Sequence, residues 1–195
     1  MKRSKIPRHP FAISVLAGGL SSRMGRDKAR LRFDGSTLLG HVRRLAEPLG
    51  VPVRIIRRDL VSRCGPLGGI YTALQSSRVE AEIFLACDMP FVSAEWLVRL
   101  RDFLGAKHAA AFTVAEGLAG FPFVIKATAL PVIERLLAEK QFSLQALALA
   151  LRAKRVRCPQ GRTSELFNIN TPKEWEQAQS RRGVPLRTKR TSRLC

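Results

Sequence analysis

Three loops of this chain carry residue types suited to holding a polyphosphate, and a fourth segment carries two asparagines of possible use beside it. The first loop is Leu16-Ala17-Gly18-Gly19-Leu20-Ser21-Ser22-Arg23-Met24-Gly25-Arg26-Asp27-Lys28. It follows a short apolar run, Phe11 to Leu16, that reads as a buried β-strand. Glycines let backbone N–H groups approach a ligand closely. Arg23, Arg26 and Lys28 bring positive charge into the same loop. At the end of a strand, that composition suits a phosphate cradle. The plain alternative is a Gly-rich turn with solvated arginines. Two common phosphate loops are excluded. Gly19 and Gly25 have five residues between them, one more than the motif allows, with Arg26 next, which breaks G-x-x-x-x-G-K-[ST], and the dinucleotide fingerprint G-x-G-x-x-G does not occur.

Asp88 ends an apolar run in Leu85-Ala86-Cys87-Asp88-Met89-Pro90. A carboxylate there can hold Mg²⁺, which takes oxygen ligands and shares its shell with substrate phosphates; it can equally cap the turn before Pro90. Gly65-Pro66-Leu67-Gly68-Gly69-Ile70 permits close backbone approach, with N–H groups at a helix start able to meet a base edge or a phosphate. In Phe167-Asn168-Ile169-Asn170-Thr171-Pro172, the asparagines either serve a metal or an acceptor phosphate or satisfy backbone groups before a helix. Asp59, six residues before Gly65, either contacts a nucleotide or pairs with Arg57 and Arg58. No Ser-His-Asp or Cys-His arrangement is readable, and His41 falls mid-helix as a packed or surface residue. No covalent enzyme intermediate is expected.

These loops need a scaffold, and strand alternates with helix along the chain. Ser36 is placed to cap a helix carrying Leu38, Val42, Leu45 and Leu49. Val51 to Ile56 reads as a strand, 64–69 as a loop, and Ile70 to Ser76 as a helix. Ile83 to Ala86 has the unbroken apolarity of a strand buried on both faces. Ser93 caps a helix that turns Trp96, Leu97, Leu100 and Leu104 inward. Strands are expected at Ala109 to Val114, Phe123 to Lys126 and Val156, with helices at Thr128 to Lys140 and Ser143 to Arg152. Thr171-Pro172-Lys173-Glu174 is a capping box opening a last helix through Gln179. The pattern predicts an α/β fold, a three-layer α/β/α sandwich with a Rossmann-like, mostly parallel sheet. Ligands of such sheets bind beyond the carboxyl ends of the strands.

A chain of 195 residues with 46% apolar content can bury a sizeable core. One domain is expected over residues 11–180, with a basic tail at 1–10 and a basic, disordered tail at 181–195. The N-terminal basic residues before Phe11 mimic a secretory leader, but Gly18-Gly19 break the apolar run and no A-x-A site follows convincingly. No run approaches the roughly 18 apolar residues of a membrane span. The four cysteines form no C-x-x-C pair and suggest neither zinc nor a disulfide framework, which fits a reducing cytoplasm. A formal charge of +19 points to nucleic acid, an anionic surface or a phosphorylated substrate. With 7% aromatics, stacking platforms for nucleic acid are not evident, which disfavours that partner.

The first loop resembles the signature L-A-G-G-x-S-x-R-M-G-x-D-K of the molybdenum cofactor guanylyltransferases, the MobA-like nucleotidyltransferase family. Gly65 to Ile70 resembles that family's G-P-L-x-G-I, Ala86-Cys87-Asp88-Met89-Pro90 its metal-binding strand end, and Asn168 to Pro172 its N-x-N-T-P element. The resemblance spans about Ala12 to Gln179 and implies the nucleotide-diphospho-sugar transferase type of fold. It implies Mg²⁺-dependent transfer of GMP from GTP to molybdopterin cofactor, releasing pyrophosphate. Arg23, Lys28 and Asp88 would be catalytic, with Asp88 the Mg²⁺ ligand. Leu16, Ala17, Gly18, Gly19, Arg23, Lys28, Asp59, Gly65, Pro66, Leu67, Gly69 and Asp88 would bind nucleotide, and Asn168 and Asn170 the acceptor. A carrier protein or recipient molybdoenzyme would be a further partner, and the cluster containing Arg54 and Arg57 would help hold the anionic pterin or dock that protein. Between Gly50 and Gly65 the chain departs from the family pattern, where a strand–helix–strand unit is compressed to one strand. The alternatives are a cytidylyltransferase or sugar-phosphate nucleotidyltransferase of the same fold, or a non-catalytic nucleotide- or cofactor-binding module. In that family G-P-L-x-G-I marks guanine recognition. A thermal-shift comparison of GTP, CTP and UTP should therefore give the largest stabilisation with GTP, and an equal or larger rise with CTP would favour the cytidylyl alternative.

Overall fold

The structure is a computed structural model that describes residues 10–18 and 31–181. Its centre is a six-stranded sheet in the order β4-β1-β5-β7-β6-β8. The strands are β1 (Phe11–Leu16), β4 (Val53–Ile56), β5 (Ala81–Ala86), β6 (Ala110–Ala115), β7 (Leu118–Lys126) and β8 (Lys154–Arg157). β4, β1 and β5 pair in parallel, as do β6 and β8, while β7 runs antiparallel to both β5 and β6. The predicted mostly parallel sheet is present, with one reversed strand. A further hairpin joins β2 (Arg32–Phe33) to β3 (Ser36–Thr37) through Asp34 and Gly35, both at positive φ. Asp-Gly is a strong turn signal for such a hairpin.

Helices cover both faces. α1 (Leu38–Ala46) and α3 (Ala94–Leu104) lie on one side, where Leu39, Val42, Trp96, Leu97, Leu100 and Leu104 meet Ile13, Val15, Ile83 and Leu85. α2 (Gly65–Gln75), α4 (Leu130–Ala138) and α5 (Leu144–Ala150) lie on the other, packing on Phe84, Phe112, Phe123 and Ile125. Alternation along β5 explains the division, since neighbouring strand residues face opposite ways. Phe84, Phe123 and Phe112 form a stacked row across β5, β7 and β6, with centroids 5.1 and 4.4 Å apart. α6 (Pro172–Ser180) closes the rim, where Phe33, Leu38, Ile169 and Ala178 make a small third cluster.

Two local expectations change. Thr37, not Ser36, caps α1, its side chain accepting from the N–H of Gly40, because the helix begins at Leu38 and Thr37 is the residue directly before it. The stretch 65–69 is not a loop before a helix but the opening of α2 itself, with Pro66 in the first turn. The compression of 50–65 holds: β4 is the single strand there. The Ser93 cap and the Thr171–Glu174 capping box stand as read, and Ser143, expected as the first helical residue, caps α5.

Among the described residues, one acidic group is buried within the sheet. Glu82 in β5 is fully buried and accepts from Ser14 Oγ at 2.6 Å and from the Arg54 guanidinium. Arg54 also donates to Ser76 Oγ and the Ala73 carbonyl, both at 2.8 Å. A buried charge stripped of its partner is costly, about 3–5 kcal/mol when no water can reach it. Arg54 is partly exposed, so Arg54→Ala should cost about 2–3 kcal/mol in chemical denaturation. A cost below 1 kcal/mol would show that Glu82 is solvated or protonated in the native protein.

Candidate functional site

The carboxyl ends of β1, β4 and β5 are level: Leu16 is in register with Ile56 on one side and Ala86 on the other. The pairing runs one residue further, with Ala17 N–H bonding the Ile56 carbonyl at 2.9 Å and Cys87 N–H the Leu16 carbonyl at 3.3 Å. Ala17-Gly18, Arg57 to Asp59 and Cys87-Asp88 therefore leave the sheet at one edge. Gly19, Arg23 and Lys28, together with both basic tails at 1–9 and 182–195, lie outside the described residues.

At this edge three glycines surround Asp59. A Cβ on Gly18 would stand 3.2 Å from the Arg57 carbonyl oxygen and 3.6 Å from Asp59 Oδ1. On Gly68 it would stand 2.7 Å from the Val61 carbonyl oxygen and 3.0 Å from Asp59 Oδ2, and on Gly69 3.3 Å from Asp59 Oδ1 and 3.1 Å from Leu16 Cδ2. The G-P-L-G-G sequence thus has a steric cause: residues 59–61 lie directly on the first turn of α2, leaving no room for side chains. Thr72 fixes this contact, its Oγ1 accepting from Leu60 N–H and donating to the Gly68 carbonyl, both at 2.8 Å. Sequence reasoning missed Thr72; its position one turn after Gly68 on a predicted helix was the available signal. Leu67 and Gly69 are buried, Leu16, Ala17 and Pro66 half-buried, and Gly18 and Gly65 exposed. Asp59 makes no hydrogen bond or ion pair with the arginines that precede it. Burial alone raises its carboxyl above the ordinary carboxylate range.

Asp88 lies two residues beyond β5, half-buried, with Oδ1 enclosed. Its carbonyl accepts from Ile169 N–H at 2.9 Å, which brings the Asn168–Asn170 segment beside the strand end. Asn168 Oδ1 is buried without a hydrogen-bond partner among the described residues. Asn170 is held through its backbone N–H, which donates to Glu174 Oε2 at 2.7 Å, an extension of the capping box. A T-shaped aromatic series, Phe33–Phe91–Phe167, packs the hairpin, the turn after Asp88 and this segment together, with centroids 5.5 and 6.0 Å apart. His41 packs edge-on to Phe33 and hydrogen-bonds the Pro90 backbone; burial keeps its imidazole below the ordinary value. It is a packed residue, as read.

Next to Asn168, beyond the carboxyl ends of β6 and β8, opens a cavity of about 830 Å³. Arg155, Arg157 and Arg181 line it with Glu116, Cys158 and Phe167. Arg155 donates to the Gly117 carbonyl, and Arg181 lies over the Phe167 ring at 4.5 Å. Arg54 is elsewhere. Its bonds to Glu82, Ala73 and Ser76 place it beside the carboxyl end of α2, away from the helix start at the rim. The expectation that it holds an acceptor is therefore corrected, since the guanidinium is consumed in neutralising a buried glutamate.

The family model described as the MobA-like NTP transferase domain matches residues 13–62 and 52–154. A protein of Opitutus terrae named probable molybdenum cofactor guanylyltransferase is 34% identical over 186 residues, covering 84% of this chain and 92% of that protein. Among solved structures, the molybdopterin-guanine dinucleotide biosynthesis protein A of Archaeoglobus fulgidus superposes with a TM-score of 0.66 at 21% identity, covering 87% and 97% of the two chains. The 2-C-methyl-D-erythritol 4-phosphate cytidylyltransferase of Thermus thermophilus gives 0.64 at 15% identity, again covering 87% and 97%. The two superpositions show the shared fold.

Asp59 gives a direct test of strain at the site. Its folded pKa is raised, so stability falls as pH rises through the carboxylate range from the ordinary value of 3.8 and stays lower above it. Asp59→Asn should therefore raise Tm at neutral pH, lose that gain as pH drops below about 4, and bind nucleotide more weakly. A variant less stable than the wild type at pH 7 would contradict this.

Proposed function

Because the chain belongs to the MobA-like NTP transferase family, we propose that it is a molybdenum cofactor guanylyltransferase, transferring GMP from GTP to molybdopterin cofactor and releasing pyrophosphate. The observation that carries this reading is the meeting of Gly18, Asp59 and the Gly68-Gly69 turn at the level ends of β1 and β4, with Asp88 at the adjoining end of β5. GTP lies across that rim. Asp59, a partly desolvated carboxylate without an ion-pair partner among the described residues, is available to N–H or O–H donors of the nucleoside. Leu16, Ala17, Gly18, Gly65 and Pro66 give it a surface without projecting polar side chains, with Leu67 and Gly69 buried beneath it.

The donors near Asp88 suit Mg²⁺. Asp88 brings a carboxylate, Asn168 Oδ1 is buried without a hydrogen-bond partner among the described residues, and those residues hold no group of three His, Cys, Asp or Glu that would cage a metal by itself. A hard cation held by one carboxylate and completed by phosphate oxygens fits this set. When bound, Mg²⁺ supplies charge neutralisation at the triphosphate. Asp88 would hold it, with Asn168 as a neutral oxygen beside it.

The chain's own part in the reaction is positioning and electrostatics. Arg23 and Lys28, by their places in the signature loop, meet the α-phosphate and the leaving pyrophosphate, where charge grows as the acceptor oxygen attacks. The acceptor enters from the Asn168 side. Its phosphate approaches Asn168 and Asn170, and the arginine-lined cavity receives the anionic pterin body. A volume of about 830 Å³ lies within the range of small-molecule sites.

The decisive experiment is pyrophosphate release from GTP, with and without purified molybdopterin and with and without Mg²⁺. Release should require all three components, and Asp88→Asn should lower kcat by about 10²–10³-fold. Release independent of molybdopterin, or full activity in Asp88→Asn, would defeat the reading.

A further inference from the structure

The turn before the Asn168 segment holds a buried carboxylate that the reaction does not use. Glu165 is fully buried in the 3-10 turn Thr163–Leu166. Its Oε2 accepts from Ser93 N–H at 3.2 Å and from Ser93 Oγ at 2.5 Å, while Oε1 takes Nε of Arg162. Ser93 is the N-cap of α3, its Oγ accepting from Trp96 N–H and from an Arg162 terminal nitrogen, both at 3.1 Å. The hydroxyl thus gives its one proton to Glu165 and receives two, which uses its full capacity. Arg162 continues to Glu95 at 2.9 Å, and the hydrogen bonds and charges of Glu165 and Glu95 outweigh burial to hold the guanidinium proton more tightly than usual.

This network joins two stretches that bear site residues. Residues 88–93 leave β5 and run to the α3 cap; residues 165–169 run back beside them. They are tied at one end by Ile169 N–H to the Asp88 carbonyl and at the other by Glu165 to Ser93. Between the ties stand Asn168 and the cavity-lining Leu166 and Phe167, and the lining residues Thr163 and Ser164 directly precede Glu165. The glycine turn and Asp59 lie outside the ties, on the other side of β1. We propose that Glu165, locked by Arg162, is a positioning residue that sets the placement of Asn168 and the acceptor wall relative to Asp88, and so governs transfer without governing nucleotide binding.

The inference rests on the reaction proposed above, and its test separates the two. In the full chain, Glu165→Gln keeps the size of the side chain but sets an amide against Arg162. It should bind GTP within about twofold of wild type and lower kcat for pyrophosphate release with molybdopterin by about 10–100-fold. Arg162→Lys keeps the charge and loses the fork that spans Ser93, Glu95 and Glu165; it should show the same split, more weakly. A purely stabilising role would lower Tm and leave that split absent. The proposal is overturned if kcat stays within about twofold of wild type, or if GTP affinity falls as far as kcat. Should Glu165→Gln not fold, Arg162→Lys is judged by the same criteria. If wild-type protein releases no pyrophosphate with molybdopterin, the reaction itself is refuted and hydrogen exchange judges the clamp. Selective acceleration at Ser93 and Ile169 relative to α2 supports it, and uniform or unchanged exchange rejects it.

Discussion

A backbone contact sets the nucleotide side of this protein. The Val61 carbonyl oxygen lies 2.7 Å from where a Cβ of Gly68 would be, and the Asp59 carboxylate fills the space above Gly18 and Gly69. The short link between β4 and α2 permits so close an approach only because those positions carry no side chain. Thr72 then holds Leu60 in place from within the helix. Glycine inside a helix costs stability, about 0.5–1 kcal/mol relative to Ala, and here that cost accompanies a carboxylate packed onto the glycines of the helix start. Much of the nucleotide rim follows from that one contact and from the common level at which β1, β4 and β5 end.

Most of the scaffold was legible because its signals are local. Ser93, Ser143 and Thr171 announce helix starts through capping, and β5 announces burial on both faces through unbroken apolarity. The glycine turn misled for a physical reason. Three glycines in five residues have poor helix propensity, yet tertiary packing over the turn holds them helical. The direction of β7 was likewise hidden, since antiparallel pairing is decided by the Glu116–Gly117 reversal after β6 rather than by composition. For the site, Asp88, Asn168 and Asp59 could be singled out from motifs. Thr72, Glu165 and Arg162 could not: Glu165 meets Ser93 across 72 residues, and nothing near it in sequence marks it as buried.

The arginines show how little net charge reveals about use. Arg54 neutralises Glu82 inside the sheet, Arg162 locks a buried turn, and Arg155 and Arg181 line the cavity while making a carbonyl and an aromatic contact. They are alike in composition but differ in desolvation and partner. The first two hold the framework, and the cavity group faces a space large enough for an anionic ligand. A formal charge of +19 is thus a sum over separate tasks, and it does not describe one binding surface.

The reversed strand β7 divides the sheet into two parallel blocks, β4-β1-β5 and β6-β8. One block ends at the edge proposed for the nucleotide and the other at the cavity proposed for the acceptor, and the row of stacked phenylalanines forms the seam. Because hydrogen bonding across the seam is backbone to backbone, substitutions on the β6-β8 side can reshape one recognition surface while leaving the other's geometry intact. Such an architecture can exchange the molecule it modifies while keeping the donor it draws from, which makes divergence of specificity a matter of remodelling half a sheet.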